Sequence, residues 1–471
     1  MYTLEFNPEE YSVETVEMAG MSITFRAFKD RMYVKYPVDE KRQKLNIYVP
    51  EVYYHGETIN GHDLHTAPIF MPNGIGGYRP TFTEYPGKQF FGDGINILFY
   101  ALRQGYVVVS PGARGINLKD ENGKYYGVAP AGLVDLKCAV RYIKYNKEVI
   151  PGNTDRIITN GTSAGGAMSA LLGTTGNHPD YEACIKQLGA APATDDVYAA
   201  SCYCPITNLD HADMAYEWEF CGINDYHRFN FEMPEGGPDS GKPPVITPVD
   251  AKMTEKQITM SKELKAMFPE YLNSLKLHGK DDQPLKLDKD GNGSFKFFVL
   301  NVAKASIEKA MQEGIDVSGL DWFKLENGEV KSIDFDKFVA FRTRMKETPA
   351  FDNISMGTPE NEVFGTEDIL FRHFTQYSYE HSAVNGVLAD EMTVKRYNPM
   401  YYIGDAKATK AKHFRIRHGL VDRDTSLAIS AILTCALQNA GIDVDLAYPW
   451  GRPHSGDYDP DELFAWVEAI I

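Results

Sequence analysis

Residues 156–173 read RIITNGTSAGGAMSALLG, and this stretch decides the fold. RIIT is an apolar run without clean alternation, which is typical of a strand covered on both faces. The glycine-rich turn GTSAGG follows at residues 161–166, and AMSALLG then has the composition of a buried helix. A strand, a tight turn and a helix in direct succession predict a parallel sheet with helices packed against it.

The sequence before this stretch supplies further strands of the same kind. APIFM at 67–71 and YVVVS at 106–110 are also apolar without alternation. Between YVVVS and RIIT, Pro130 is followed by AGLVDLKCAVRYIKYN, whose apolar residues recur on one helical stripe. Strand, helix and strand form a crossover connection, so the predicted class is α/β, with a mostly parallel sheet flanked by helices.

Shorter β-rich runs occur near both ends of the chain. They lie at 22–28, 32–36 and 45–49, and again at 413–419 and 443–449, with a helical pattern between the last two. We interpret the first three as leading strands and the last two as the end of the sheet.

The middle of the chain has a different texture. After about residue 205 it becomes rich in proline, glycine and charge, as in EGGPDSGKPP at 235–244. We therefore expect a core formed by 1–204 and 401–471, interrupted by an inserted lid domain at 205–400. Such an insertion would lie over the C-terminal ends of the strands, where open α/β sheets bind ligands.

The composition excludes several classes of function. With 48 Lys+Arg against 65 Asp+Glu, the formal net charge of −17 repels phosphate backbones and anionic lipids, so neither nucleic acid nor a membrane is an expected partner. Six cysteines in 471 residues are too few for a disulfide framework. The N-terminus, MYTLEFNPEEYSVETVEMAG, is acidic where a secretory signal is basic, and no segment approaches the ~18 apolar residues of a membrane span. We expect a cytoplasmic protein, and the sequence leaves its oligomeric state open.

Ser163 is the candidate nucleophile. Gly161-Thr162-Ser163-Ala164-Gly165 matches G-x-S-x-G in the strand-turn-helix context that exposes a serine hydroxyl. Glycines flank the serine because side chains would clash in so tight a turn. The N–H of Ala164, at the start of the helix, is then available to a developing oxyanion. The competing interpretation is a Gly/Ser-rich turn without chemistry.

A serine nucleophile needs a base, and the base needs an acid that orients it. In this arrangement the chain order is serine, acid, histidine, with the last two on loops after later strands. His454 lies in the PWGRPHSG loop after the last predicted strand, and Asp422 lies in RHGLVDRD after the strand before it. Asp424, two residues on, has nearly the same placement, and spacing alone does not decide between the two aspartates.

A second glycine-rich loop, NGIGGY at 73–78, follows the strand PIFMP. The N–H groups of such a loop can approach a substrate carbonyl, so we expect Gly77 to be the second oxyanion donor beside Ala164. An ordinary glycine loop is the alternative.

Evidence for a metal or cofactor is weak in this sequence. DKDGNG at 288–293 begins like a calcium loop, but Val299 stands where a bidentate glutamate is required, so a polar turn is preferred over calcium. Cys202 and Cys204 form C-x-C without a second ligand pair, and buried free thiols are the better interpretation. No P-loop, dinucleotide or HExxH motif occurs, so we expect neither a metal nor an organic cofactor.

GTSAGG, RHGLVDRD and PWGRPHSGDYD resemble segments of the bacterial tannases, serine esterases of the α/β-hydrolase superfamily that cleave gallate esters. GAAPATDDVYA, CPITNLDHADMAYEW, MKETPAFDNI and TPENEVFG extend the likeness over nearly the whole chain, including the insertion. The resemblance implies an α/β-hydrolase core with Ser163 as nucleophile, Asp422 as acid and His454 as base.

The resemblance also implies a pocket for a phenolic ring. Lys346, Glu360 and Asp424 would bind the ring hydroxyls, and Ile206 and Pro359 would sandwich the ring. Carboxylates accept hydrogen bonds from phenols, and a lysine donates to phenol oxygens. The expected reaction is hydrolysis of galloyl esters through an acyl-enzyme, with small phenolic esters as partners. The alternatives are a feruloyl or other hydroxycinnamoyl esterase, a general carboxylesterase, a serine peptidase, and a binding protein without activity.

Overall fold

The computed structural model of the protein describes residues 1–89, 94–232 and 245–471. Within these residues the main sheet contains nine strands: β1 (Ser12–Met18), β2 (Met21–Met32), β3 (Lys44–Pro50), β4 (Pro68–Pro72), β5 (Val107–Pro111), β6 (Asn153–Thr162), β7 (Ala199–Tyr203), β12 (His413–Arg417) and β13 (Asp443–Ala447). Two further antiparallel pairs are β8 (Asp225–Glu232) with β9 (Val245–Lys252), and β10 (Phe323–Glu326) with β11 (Glu329–Ile333).

The main sheet has the strand order β1-β2-β3-β5-β4-β6-β7-β12-β13. From β5 to β13 the neighbours are parallel, whereas β1, β2 and β3 are joined antiparallel at one edge. Ile69, Val108 and Ile158, on three adjacent inner strands, are completely buried, because helices cover both faces. The predicted α/β class with a mostly parallel sheet is confirmed.

The described helices are α1 (Ile97–Gln104), α2 (Ala131–Tyr145), α3 (Ala164–Thr174), α4 (Glu182–Gln187), α5 (Leu209–Phe220), α6 (Glu255–Ser274), α7 (Ser294–Gln312), α8 (Phe335–Arg342), α9 (Pro359–Val363), α10 (Gln376–Glu380), α11 (Glu391–Lys395), α12 (Met400–Ile403), α13 (Leu427–Asn439) and α14 (Pro460–Ile470). Apolar residues of α2, α3 and α13 belong to one buried cluster, and those of α1 and α14 to another. The sheet therefore separates two helical layers. None of the helices in the described ranges is long and apolar enough to cross a membrane.

The chain leaves the sheet after β7 and returns to it at β12. Along the chain, helices α5 to α12 and both small strand pairs come after β7 and before β12, although these two strands are neighbours in the sheet. Leu209 and Phe268 of this inserted part belong to the same buried cluster as Leu171 and Phe414 of the sheet layers. The insertion thus shares its core with the rest of the protein. The proline- and glycine-rich segment 235–244 lies outside the described residues.

One predicted strand was wrong. Residues 32–36 do not continue as a strand beyond Met32, where β2 ends. The backbone N–H groups of Lys35 and Tyr36 donate to the carbonyl oxygens of Gly189 and Leu188, at 3.2 and 3.0 Å. This segment pairs with the loop after α4, and Tyr33 and Val34 are buried there outside the main sheet, whereas Tyr36 is exposed.

Candidate active site

Ser163 occupies the turn between β6 and α3. Its backbone has φ 61° and ψ −122°, a conformation that residues other than glycine rarely adopt. A Cβ at Gly161 would lie 2.4 Å from the carbonyl oxygen of Gly165, and one at Gly166 would lie 2.6 Å from that of Tyr203. The Ser163 N–H donates to the same Tyr203 oxygen at 3.0 Å, which ties the turn to β7. A strained serine at the C-terminal end of a strand is the arrangement that exposes a nucleophile.

Asp422 and His454 form a hydrogen-bonded pair on the loops that follow β12 and β13. Nδ1 of His454 lies 2.8 Å from Oδ2 of Asp422, whose side chain is completely buried, and Nε2 of His418 lies 3.3 Å from the same oxygen. Burial would raise the pKa of Asp422, but the two imidazoles outweigh burial and hold the pKa well below its usual range. Burial would lower the pKa of His454, but the Asp422 carboxylate raises it. The pair therefore favours an ionised Asp422, and it makes the imidazole of His454 a stronger base than a free histidine.

The two candidate aspartates differ in what they contact. Asp422 faces the imidazole, whereas Oδ1 of Asp424 lies 2.9 Å from Nζ of Lys346. The backbone N–H of Asp424 donates to Oδ1 of Asp422 at 2.8 Å, so both side chains are fixed by the same short loop.

A cysteine lies between the serine turn and the histidine loop. Sγ of Cys204 is 4.0 Å from Nε2 of His454, and the thiol donates to the carbonyl oxygen of Ser455 at 3.5 Å. Cys204 follows β7 directly, has φ 35° and is completely buried. Among the described residues, Oγ of Ser163 makes no hydrogen bond. The sequence identified Cys204 as a buried thiol but gave no sign of its position beside the histidine.

The glycine-rich loop after β4 packs against the start of α3. Nδ2 of Asn73 donates to the carbonyl oxygens of Asn160 and Gly165, both at 3.1 Å. Ala164 is the first residue of α3, where an N–H has no partner within the helix. Gly77 has φ 53°, and its N–H donates to no acceptor in the described part of the chain. The two segments that carry the predicted oxyanion donors are therefore in contact.

Three charged side chains lie together next to the Asp422–His454 pair. Lys346, after α8, and Glu360, on α9, come from the inserted part, while Asp424 comes from the loop after β12. Burial would lower the pKa of Lys346, but Asp424 and Glu360 raise it. Burial would raise the pKa of Asp424, yet Lys346 and His454 lower it. Burial raises the pKa of Glu360 despite the nearby lysine. The group thus holds one ion pair, Lys346 with Asp424, and a second carboxyl, Glu360, that retains its proton more readily than usual.

Ile206 and Pro359, the two apolar residues predicted to contact a phenolic ring, have different surroundings. The N–H of Ile206 donates to the carbonyl oxygen of Ser163 at 3.3 Å, and its own carbonyl accepts from the Tyr78 hydroxyl at 3.0 Å. Ile206 is therefore attached to the serine turn. Pro359 is the first residue of α9 and precedes Glu360. The fold brings core and inserted residues to the same region.

Buried arginines that no sequence motif predicts support these loops. Arg342 pairs with Glu219 and donates to the backbone carbonyl oxygen of Asp422, and Arg344 pairs with Glu217. The side chains of both ion pairs are completely buried. Removing one partner from such a pair leaves an uncompensated charge, so these pairs hold α5, the end of α8 and the aspartate loop together.

This strand order, with a serine on the turn after β6 and an aspartate and a histidine on later loops, is that of an α/β hydrolase. The BD-FAE family model, which describes α/β-hydrolase esterases, matches residues 89–218. No protein with curated annotation matches the chain.

Solved structures give a longer match. The tannase of Lactobacillus plantarum is 43% identical, over 99% of this chain and 100% of that chain, with a TM-score of 0.95. The tannase of Fusobacterium nucleatum is 43% identical over 100% of both chains, with a TM-score of 0.94. A tannin acyl hydrolase solved in complex with ethyl gallate is 42% identical, over 99% and 98% of the two chains, with a TM-score of 0.92. The chain belongs to the tannase family and is a carboxylic ester hydrolase.

Proposed function

We propose that this protein hydrolyses galloyl esters, with Ser163 as nucleophile, His454 as general base and Asp422 as the acid that orients the base. The observation that carries the proposal is the 2.8 Å hydrogen bond from His454 to Asp422 in a chain whose serine occupies a strained turn. The relative solved with ethyl gallate supports a galloyl acyl group.

In the acylation step, Oγ of Ser163 attacks the ester carbonyl carbon while Nε2 of His454 takes the hydroxyl proton. The carbonyl π electrons move to oxygen, where the N–H groups of Ala164 and Gly77 bind the negative charge. Asp422 stabilises the imidazolium and fixes its tautomer. The tetrahedral intermediate then collapses, the bond to the alcohol oxygen breaks, and the alcohol leaves with the proton from His454.

The acyl-enzyme is then hydrolysed. Water attacks the same carbonyl carbon while His454 takes one of its protons, and the second tetrahedral intermediate returns the electrons to Oγ of Ser163. Serine recovers its proton from the imidazolium, and gallic acid is released. Because apo geometry is often looser than that of the Michaelis complex, the hydrogen bond from Ser163 to His454 forms when the ester binds.

The acyl pocket follows from the charged group beside the histidine. Lys346 donates to a ring hydroxyl oxygen, and Asp424 and Glu360 accept from ring hydroxyl hydrogens. Ile206, attached to the serine turn, and Pro359 of α9 contact the two ring faces. In this proposal the inserted residues 205–400 act as a lid domain, since they supply Lys346 and Glu360 while Asp424 comes from the core.

Two measurements test the proposal. Ser163→Ala should keep the fold and lower kcat by at least ~10³, because nucleophile and base act as one unit, and adding His454→Ala should reduce it little further. Near-normal turnover of Ser163→Ala would exclude the mechanism.

The second measurement compares kcat/KM for methyl gallate, methyl ferulate and a peptide amide on the wild type. Methyl gallate should be preferred, because the charged group is built to meet several ring hydroxyls at a short distance from the carbonyl. A preference for ferulate would favour a hydroxycinnamoyl esterase, and turnover of the amide alone would favour a peptidase.

A further inference from the structure

Cys204 and His454 bring a thiol and an imidazole nitrogen to the spacing of a metal site. Their ligand atoms and a carboxylate oxygen of Asp422 all lie within 4.8 Å of one another. Sγ and Nε2 are 4.0 Å apart. In a tetrahedral site with bonds of ~2.3 Å to sulfur and ~2.0 Å to nitrogen, these two atoms would be about 3.5 Å apart, so a shift of about 0.5 Å lets both bind one ion.

We propose that Cys204 and His454 form a binding site for a thiophilic divalent cation such as Zn²⁺, and that the bound ion inactivates the enzyme. Thiolate and imidazole are the ligands such ions prefer, and no other group of three His, Cys, Asp or Glu side chains comes this close in the ranges 1–89, 94–232 and 245–471.

Asp422 has a different part in this site. It lies at Nδ1 of His454, on the opposite side of the ring from Nε2, and its oxygen is already engaged at 2.8 Å. A histidine that binds a metal commonly donates its other ring N–H to a carboxylate, which fixes the ring and makes the ligating nitrogen more basic. Asp422 is therefore the partner that orients the ligand.

The ion has a route to the two ligands. The side chain of His454 is 23% exposed, whereas Asp422 and Cys204 are completely buried, so of these three groups only the imidazole is open to an ion from solvent. On binding, the S–H bond of Cys204 breaks as the sulfur–metal bond forms, and one proton passes to solvent. Nε2 loses any proton it carries to solvent and binds through the lone pair so freed, and water completes the coordination.

Inactivation rests on the proposed function, because the lone pair of Nε2 that the metal occupies is the one that accepts the proton of Ser163. Binding by itself does not depend on that role. The two parts can therefore be tested separately.

Binding is tested with Co²⁺ on the full chain carrying Ser163→Ala, which has no turnover. A thiolate-to-cobalt charge-transfer band should appear, and Cys204→Ser introduced into this background should abolish it. Cys184→Ser and Cys221→Ser, which remove the two partly exposed thiols, should retain it. A band that persists without Cys204 would overturn the site.

Two further measurements keep the metal site testable even if Cys204→Ser does not fold. Cys204→Ala is the second variant, and circular dichroism reports whether either variant folds. Titration calorimetry of the wild type with Zn²⁺ in buffers of different ionisation enthalpy should give release of at least one proton per ion, since the thiol must lose its proton. Release of no proton would exclude ligation by the thiol, whatever the variants do.

Inhibition is tested with Zn²⁺ on the active enzyme. Low concentrations should inhibit, EDTA should restore activity, and Cys204→Ser should raise the inhibitory concentration at least about 10-fold relative to its own metal-free rate. A 10-fold rise is the smallest expected, because even a residue that only hydrogen-bonds to a metal ligand contributes about 10-fold to metal affinity. A cobalt band that depends on Cys204 without any inhibition would support the metal site and contradict the assignment of His454 as base. Inhibition that is equal in wild type and Cys204→Ser would overturn the inactivation.

Discussion

Replacing Asp424 by Asn tests whether the charged group recognises ring hydroxyls. Asparagine keeps the size of the side chain and one acceptor, but removes the charge that lies 2.9 Å from Nζ of Lys346. Asp424 is one of the groups that raise the pKa of Glu360, so its loss should lower that pKa and strengthen the attraction between Glu360 and the lysine. We therefore expect the variant to fold and the pocket to lose one charged acceptor.

The size of the effect follows from the burial of this pair. A hydrogen bond to a charged group contributes about 1.5–3 kcal/mol. The side chains of Lys346 and Asp424 are 20% and 15% exposed, so solvent screens the interaction only in part. A loss of about 1.5–2.5 kcal/mol would lower kcat/KM for methyl gallate about 10- to 70-fold. Methyl benzoate has no hydroxyl to lose a partner, so its kcat/KM should change less than about threefold.

The assay compares kcat/KM for methyl gallate, methyl 4-hydroxybenzoate and methyl benzoate on wild type and Asp424→Asn. Because Asp424 also acts electrostatically on His454, the ratio between esters is the readout, and the absolute rate is not. Asp250→Asn removes the same charge from a side chain that is 80% exposed and is the control. An equal fall for all three esters would refute recognition of the ring hydroxyls, and equal rates for all three on the wild type would leave a general carboxylesterase as the better description.

Three further changes have defined outcomes. Asp422→Asn should lower kcat by about 10⁴ at unchanged circular dichroism, since the amide favours the wrong imidazole tautomer, and a loss under tenfold would contradict its role. Gly166→Ala should lower the free energy of unfolding in urea by about 1–3 kcal/mol, because its Cβ would lie 2.6 Å from the Tyr203 carbonyl oxygen, and a neutral result would contradict that approach. Burial raises the pKa of Asp457 to about 6, so the native state keeps a proton that the unfolded chain has lost, and stability should fall as pH rises from about 4 to about 6. Asp457→Asn, which can keep the 2.9 Å bond from Asn160, should be more stable than wild type by about 2–3 kcal/mol at pH 7 and by nothing at pH 3.5, and a gain independent of pH would exclude the titration of Asp457.

The parallel sheet could be predicted because most of its strands are apolar runs with β-branched residues. β6 contains its predicted segment, β4 and β5 are each shifted by one residue from theirs, and β12 and β13 begin at the predicted residues. β7 was not predicted, since AASCY consists mostly of small residues with little preference for a strand. Pairing with β6 on one side and β12 on the other forms this strand, and such pairing leaves no local pattern.

The local sequence around each site residue explains whether its role could be predicted. Ser163 stands in a motif whose glycines are dictated by the turn itself. Asp422 and Asp424 share one loop and an equivalent distance from the preceding strand, so the choice between them depends on which carboxylate faces His454. Lys346 and Glu360 lie in charged segments where a pocket residue and a solvated one have the same pattern. Only the resemblance to the tannase family distinguishes these two residues from solvated ones.

The position of Cys204 beside His454 follows from the strand order and could not be predicted from sequence spacing. It is 250 positions from His454 in the chain, yet its sulfur lies 4.0 Å from the imidazole. β7 lies between β6, which leads into the serine turn, and β12, which leads into the aspartate loop. The residue after β7 must therefore lie between these two loops at the same edge of the sheet, whatever their sequences. Topology thus places position 204 beside the histidine, and because Cys204 is completely buried with its sulfur 4.0 Å from Nε2, a larger side chain there would have to move the imidazole.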